Sequence, residues 1–212
     1  TTDLHAHLLS YDYFKLAEDK SVGFERTATL IRQARAEFPN TVLIDNGDTI
    51  QGTALADYQA LVSPVSCSTK LATYKAMDAI GYDAGTLGNH EFNYGLPYLA
   101  QVTGTRFNVE GMPELAAQAL CKGPDFPLAL ANVTSRKDGQ TLYVKLDRKI
   151  TGVDKDGKTF DGKIMVAVIG FTPPPILSWD KRWLDGKVDV QGVVEAAGKY
   201  VPMARAEGAD LV

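Results

Sequence analysis

The sequence predicts an α/β fold in which helices cover a sheet of mixed direction. Three observations predict it. Stretches with helical apolar spacing alternate with short stretches of nearly continuous Val, Ile and Leu. Glycine, proline and asparagine punctuate the boundaries between them. Polar residues gather directly after strand-like stretches, where open α/β sheets hold their ligands.

Residues 24–38 read as an amphipathic helix with Ala28, Ile31 and Ala34 on one side, ended by Pro39-Asn40. Residues 41–45 follow as a short apolar strand. A second helix is expected over 69–80, with Leu71, Tyr74 and Met77-Asp78 at helical spacing and Gly81 as its stop. A strand over 82–86 and a helix over 95–102, with Pro97 in its first turn, come next. Residues 126–133 and 163–171 read as strong strands. The pattern of Ile164, Val166, Val168 and Ile169 predicts burial on both faces of the second. Between them, 142–153 reads as a strand and 154–158, Asp-Lys-Asp-Gly-Lys, as a hairpin turn. A last helix spans 190–207, and 209–212 starts one more strand. Both ends read as cut: no strand precedes Asp3 to place it, and the chain stops within an apolar strand, where domain boundaries normally fall in polar linkers.

At 212 residues the chain suits one domain, or part of one, large enough to bury a core. Its 45% apolar and 23% charged residues match soluble globular proteins. A net charge of −4 argues against binding to nucleic-acid polymers, which calls for clustered Lys and Arg. No apolar run approaches the roughly 20 residues that cross a bilayer. Cys67 and Cys121 are too few for a disulfide framework and lack zinc-knuckle spacing. They form a single bridge in an oxidising compartment, or stand as two free thiols otherwise.

Three polar clusters carry the chemistry: Asp3-Leu4-His5, Asp45-Asn46-Gly47-Asp48 and Gly88-Asn89-His90-Glu91. Carboxylate and imidazole together ligate borderline or hard divalent cations such as zinc, manganese or iron. In Asp-x-His the two side chains of an extended segment point the same way, so both reach one ion. A carboxylate such as Asp48 can bridge two ions, and two ions about 4 Å apart can clamp a phosphate and activate a water. Each cluster alone has an ordinary reading, as surface residues, a turn or a helix start. Taken together and in this order, they point to a metal site.

These residues resemble the calcineurin-like metallophosphoesterases. The match rests on Thr1 to His5, Asp45 to Asp48 with Gln51-Gly52, and Gly88-Asn89-His90-Glu91-Phe92-Asn93-Tyr94-Gly95. It is closest to the 5′-nucleotidase group and, within it, to the bifunctional 2′,3′-cyclic-nucleotide 2′-phosphodiesterase/3′-nucleotidase branch. Phe171-Thr172-Pro173-Pro174, Trp179-Asp180-Lys181 and Lys199-Tyr200-Val201-Pro202 share the likeness, which covers most of the chain. The resemblance implies a metallophosphoesterase-type sandwich of mixed β-sheets flanked by helices, incomplete at both ends. Residues 1–212 would be the N-terminal portion of the catalytic domain, with a separate C-terminal domain holding base and ribose. It also implies a periplasmic or otherwise extracytoplasmic location and a nucleotide substrate.

Carried over by position, Asp3 and His5 bind a first divalent ion of the zinc, manganese, iron or cobalt class, Asp48 bridges to a second, and Asn89 binds that second ion. His90 acts on the phosphate, stabilising developing charge or protonating the leaving oxygen. Asn93 stands where many 5′-nucleotidases carry an Asp that orients this histidine. Its carbonyl still accepts a hydrogen bond but brings no charge, and the cyclic phosphodiesterase branch commonly has Asn here. The family's further histidine ligands, from Ser-His-x-Gly-like and Gly-His-x-His-like stretches, do not occur in these residues.

His7 reads as a supporting or surface residue, Glu91 as a helix-start residue, and Tyr11, Tyr13 and Phe14 as packing rather than a base-stacking platform. Trp179 and Trp183 fit either an interface or a core. Two other functions stay open: a 5′-nucleotidase or UDP-sugar hydrolase, and a non-catalytic piece whose Asp3, His5, Asp48 and Asn89 leave the ions short of ligands.

Overall fold

The computed structural model describes residues 1–118, 120–142, 146–153 and 159–212, and for 146–153 and 159–163 the backbone alone. After the first ten residues comes a short antiparallel pair, β1 (Tyr11–Asp12) and β2 (Ala17–Glu18). Tyr11 and Tyr13 pack edge to face at 5.2 Å, whereas Phe14 is exposed.

Helix α1 (Phe24–Glu37) buries Phe24, Ala28 and Ile31, one stripe at helical spacing. Ala34, expected on that stripe, is exposed. The last turn instead presents Arg35, whose guanidinium donates to the carbonyls of Ile80 at 2.5 Å and Gly81 at 2.6 Å. Of the strand expected over 41–45, only β3 (Ile44–Asp45) is regular. At Leu43 the Asp83 carboxylate takes the place of a backbone partner, accepting from the Leu43 N–H at 2.8 Å.

Thr53 caps α2 (Ala54–Asp57) through the Ala56 N–H, and one π-helical turn extends it over Tyr58–Val62. The second expected helix is α3 (Ala72–Ile80). It stops where Gly81 takes the left-handed conformation at φ 81°. Leu71, Tyr74 and Met77 are buried as their spacing predicts. β4 (Ala84–Thr86) leads into a 3₁₀ turn, His90–Phe92, and then α4 (Leu96–Thr103) with Pro97 in its first turn.

The strand expected over 126–133 is two strands. β5 (Leu128–Ala129) completes a parallel sheet in the order β3-β4-β5, while β6 (Val133–Ser135) leaves it. The Asn132 side chain makes the break affordable. It imitates a peptide unit, donating to the Thr172 carbonyl at 2.7 Å and accepting from the Thr172 N–H at 3.0 Å.

β7 (Leu146–Val153) and β8 (Thr159–Val168) form an antiparallel ladder, and the turn expected at 154–158 lies outside the described residues. Among the described residues, double-sided burial of 163–171 is observed only at Val166 and Ala167, neighbours that point to opposite faces. Val166 and Ala167 are buried, Val168 and Ile169 half-buried, and Ile164 is 37% exposed. On its other side, among the described residues, β8 meets a bridge from Val166 to Leu211 and bonds between Met165 and Asp210, where a strand over 209–212 was expected. Val166 to Phe171 therefore line an apolar groove of about 750 Å³.

Two short helices, α5 (Ile176–Trp179) and α6 (Lys181–Leu184), form a corner before β9 (Val188–Val190). β9 pairs antiparallel with β6, so Val190 belongs to a strand and α7 (Val193–Ala206) starts three residues later than expected. The main core gathers Ile50, Tyr74, Leu87, Phe92, Leu96, Leu99, Leu130, Ile176 and Leu184 beneath the loops that follow β3 and β4.

Cys67 and Cys121 are joined, which settles their pairing. A bridge across 54 residues removes unfolded-state entropy worth about 4 kcal/mol. Reduction, or Cys67→Ser with Cys121→Ser, is expected to lower the melting temperature by roughly 10 °C. A melting curve that reductant leaves unchanged would show that the bridge constrains nothing.

Candidate metal centre

The first segment is held laterally by backbone bonds to the loop after β3. Residues 1–6 lie along the loop after β3, where the Thr1 carbonyl accepts from Asn46 at 2.8 Å. Asp3, His5 and Ala6 donate to the carbonyls of Gly47, Asp48 and Thr49 at 2.9–3.0 Å. These bonds bring Asp3-x-His5 alongside Asp48.

His5, Asp48 and His90 each offer a ligand atom within 4.8 Å of the others, and all three are half-buried. The two imidazole rings meet edge to face, with 75° between planes and 4.9 Å between centres. Asp3 is more exposed, its Oδ1 3.6 Å from His5 Nε2. His5 Nδ1 lies 2.7 Å from the Gln51 carbonyl, an acceptor that requires the proton on Nδ1 and leaves Nε2 to face the cluster. Two imidazoles and a carboxylate at this separation, with a second carboxylate beside them, are a donor set that suits a zinc-, manganese- or iron-class ion. Asn89, the residue before His90 in sequence, is half-buried. His7 lies outside it, its carbonyl taken by the Phe24 N–H.

The backbone here is held in an uncommon conformation. Among the described residues five non-glycines have positive φ, and four of them are Asp3 at 54°, His5 at 47°, Ala6 at 55° and Asp48 at 57°. Such conformations cost about 1 kcal/mol or more each and persist where the surroundings enforce them. Part of that enforcement is a direct backbone contact between two loops. A Cβ on Gly47 would lie 2.2 Å from the Gly88 nitrogen, and one on Gly88 would lie 2.2 Å from Asp48 Oδ1. Only glycine at both positions lets the loops touch.

The rest comes from Glu91. A helix-start role was expected of it, and it does sit in the 3₁₀ turn, but its carboxylate serves other segments. It is 1% exposed. Oε1 accepts from the N–H groups of Thr49 at 2.5 Å and Ile50 at 3.2 Å. Oε2 accepts from Asp48 at 2.8 Å and Gly88 at 2.7 Å. Burial pushes this carboxyl above the usual range, opposed by those amide donors. Asp45 plays a similar part inside its own loop. It is also buried, accepting from the Gly47 N–H and from the hydroxyls of Thr49 and Thr1, and desolvation outweighs these bonds to raise its carboxyl too.

His90 is anchored twice. Its backbone N–H donates to Asp48 Oδ1 at 2.9 Å, and its Nδ1 lies 2.7 Å from Asn93 Oδ1. The pairing of His90 with Asn93 inferred from the motif is therefore present, and Nε2 is the nitrogen left free. Trp183, half-buried against the core, donates its indole N–H to the Asn93 carbonyl at 3.0 Å, whereas Trp179 is exposed.

The calcineurin-like phosphoesterase family matches residues 1–186. Over its whole length the chain is 42% identical to the trifunctional nucleotide phosphoesterase protein YfkN of Bacillus subtilis, of which it spans 13%. It is also 42% identical to a 2′,3′-cyclic-nucleotide 2′-phosphodiesterase/3′-nucleotidase of Haemophilus influenzae, spanning 29% of that protein. The crystal structure of the calcineurin-like phosphoesterase YfkN superposes with a TM-score of 0.85 at 40% identity, covering 99% of this chain and 58% of that one. With the family matched over 186 of 212 residues and the fold shared with a solved relative, the chain belongs to the calcineurin-like phosphoesterases.

Proposed function

We propose that this domain is part of an enzyme that hydrolyses 2′,3′-cyclic nucleotides and 3′-nucleotides with two divalent ions and a water. The observation that carries the reading is the convergence of His5, Asp48 and His90 within 4.8 Å, with Asp3 beside His5. Asp3, His5, Asp48 and Asn89 would hold the ions. When bound, such ions polarise the phosphate and lower the pKa of a water. His90, its Nδ1 committed to Asn93, offers Nε2 to a phosphate oxygen or to the leaving oxygen. Asn93 and the 42% identity to a cyclic phosphodiesterase/3′-nucleotidase favour this substrate class over 5′-nucleotides, as against 35% identity to a snake venom 5′-nucleotidase. The Cys67–Cys121 bridge supports an extracytoplasmic location, because such bridges persist in oxidising compartments.

The test compares turnover of 2′,3′-cyclic AMP, 3′-AMP and 5′-AMP by the full-length protein, before and after chelation. The expected result is hydrolysis of the first two in preference to the third, lost on chelation and regained with added zinc, manganese or cobalt. Preference for 5′-AMP would make the protein a 5′-nucleotidase, and activity indifferent to chelation would remove the metal from the reading.

A further inference from the structure

We propose that Asp180 is a positioning residue for His90, acting through the side chain of Asn93. The inference rests on the catalytic role given to His90 above. Asn93 alone brings no charge to the imidazole. Behind it, however, stands a carboxylate from a distant part of the chain. Asn93 Nδ2 lies 3.1 Å from both oxygens of Asp180, 87 residues away in sequence. Asp180 is 4% exposed, at the corner between α5 and α6. Among the described residues it makes no ion pair. A buried aspartate without a cationic partner is uncommon.

The geometry gives this carboxylate a specific task. An ionised carboxylate only accepts hydrogen bonds, so Asn93 must turn its NH₂ toward Asp180. The amide oxygen then faces His90, and an oxygen 2.7 Å from Nδ1 requires the proton to sit on Nδ1. Asp180 thereby selects the amide orientation of Asn93, and through it the tautomer that leaves His90 Nε2 free for the substrate. Its negative charge lies one residue further from the imidazole than in enzymes that place an Asp there directly. The same corner holds the Asn93 backbone through the Trp183 indole, so both ends of Asn93 are fixed by one element.

The prediction is a charge exchange. In full-length protein Asp180→Asn removes the charge and the constraint on the amide. Asn93→Asp places two carboxylates against each other. Each is expected to lower kcat on 2′,3′-cyclic AMP about tenfold, within the range that touching, coupled residues show, with KM changed less than about twofold. The double variant restores one carboxylate, one amide and an acceptor at His90 Nδ1, and should recover to within about threefold of the parent kcat. In parallel, nitrogen-15 spectra of labelled histidine should show His90 protonated on Nδ1 in the parent and in the double variant. Asp180→Asn should show a mixture of tautomers. Additive losses in the double variant, or an unchanged His90 spectrum in Asp180→Asn, would overturn the proposal. If the parent protein hydrolyses none of the nucleotides, the functional reading fails by itself, and the spectra still decide the role of Asp180.

Discussion

Replacing His90 by Ala is expected to lower kcat on 2′,3′-cyclic AMP by about 10²–10⁴-fold, the range over which a positioned acid or base contributes. The reason lies in how little freedom the ring has. Its backbone is tied to Asp48 and its Nδ1 to Asn93, so Nε2 projects from a fixed frame. Substrates differ in how much they need from that nitrogen. A leaving oxygen of ribose is a poor leaving group and gains most from protonation, whereas an activated aryl leaving group departs without it. The defect of His90→Ala should therefore shrink on an aryl phosphodiester while bound metal stays at the parental level. The opposite pattern also has a meaning, because the ring lies within 4.8 Å of the ligand atoms of His5 and Asp48. Equal losses on both substrates together with metal loss would make His90 a ligand rather than an acid.

How far the sequence reveals this site depends on whether a residue's role is local. Asp48 and His90 are legible because each follows a strand-like stretch within a short motif, Asp3 and His5 because they form an Asp-x-His pattern, and the sheet order β3-β4-β5 delivers the first two to one edge. Asn93 is legible because it lies three residues from its partner, His90. Asp180 and Glu91 are not, for the same physical reason. The partner of Asp180 lies 87 residues away and three of the four partners of Glu91 about 40, and no periodicity connects them. The break between β5 and β6 is hidden differently. Residues 126–133 are apolar enough for one strand, and only the tertiary contact of Asn132 with Thr172 shows that a side chain has replaced the ladder. Ile164 misled in the other direction, since an apolar pattern marks a face to be covered and does not say that these residues cover it. Cys67 and Cys121 needed a distance, 4.4 Å between Cα atoms, that composition cannot supply.

Glu91 carries the largest expected effect on stability. Its carboxylate gathers four N–H groups from Asp48, Thr49, Ile50 and Gly88, and so ties the loop after β3 to the loop after β4. Glu91→Ala leaves all four without an acceptor, next to a backbone that already holds Asp48 at φ 57°. Each buried donor left unsatisfied costs about 1–3 kcal/mol, and removing one partner from a buried charged network costs about 3–5 kcal/mol in total. Glu91→Gln separates this account from a simple helix-start role. Either orientation of the Gln amide puts its NH₂ against two of the four N–H groups, so an isosteric change that keeps the local turn should still cost at least about 2 kcal/mol. Thermal unfolding and bound-metal content read the two consequences together. Both should fall in Glu91→Gln, because the amides Glu91 holds belong to Asp48 and its neighbours. A Gln variant as stable and as metal-loaded as the parent would show that the two loops meet without the carboxylate.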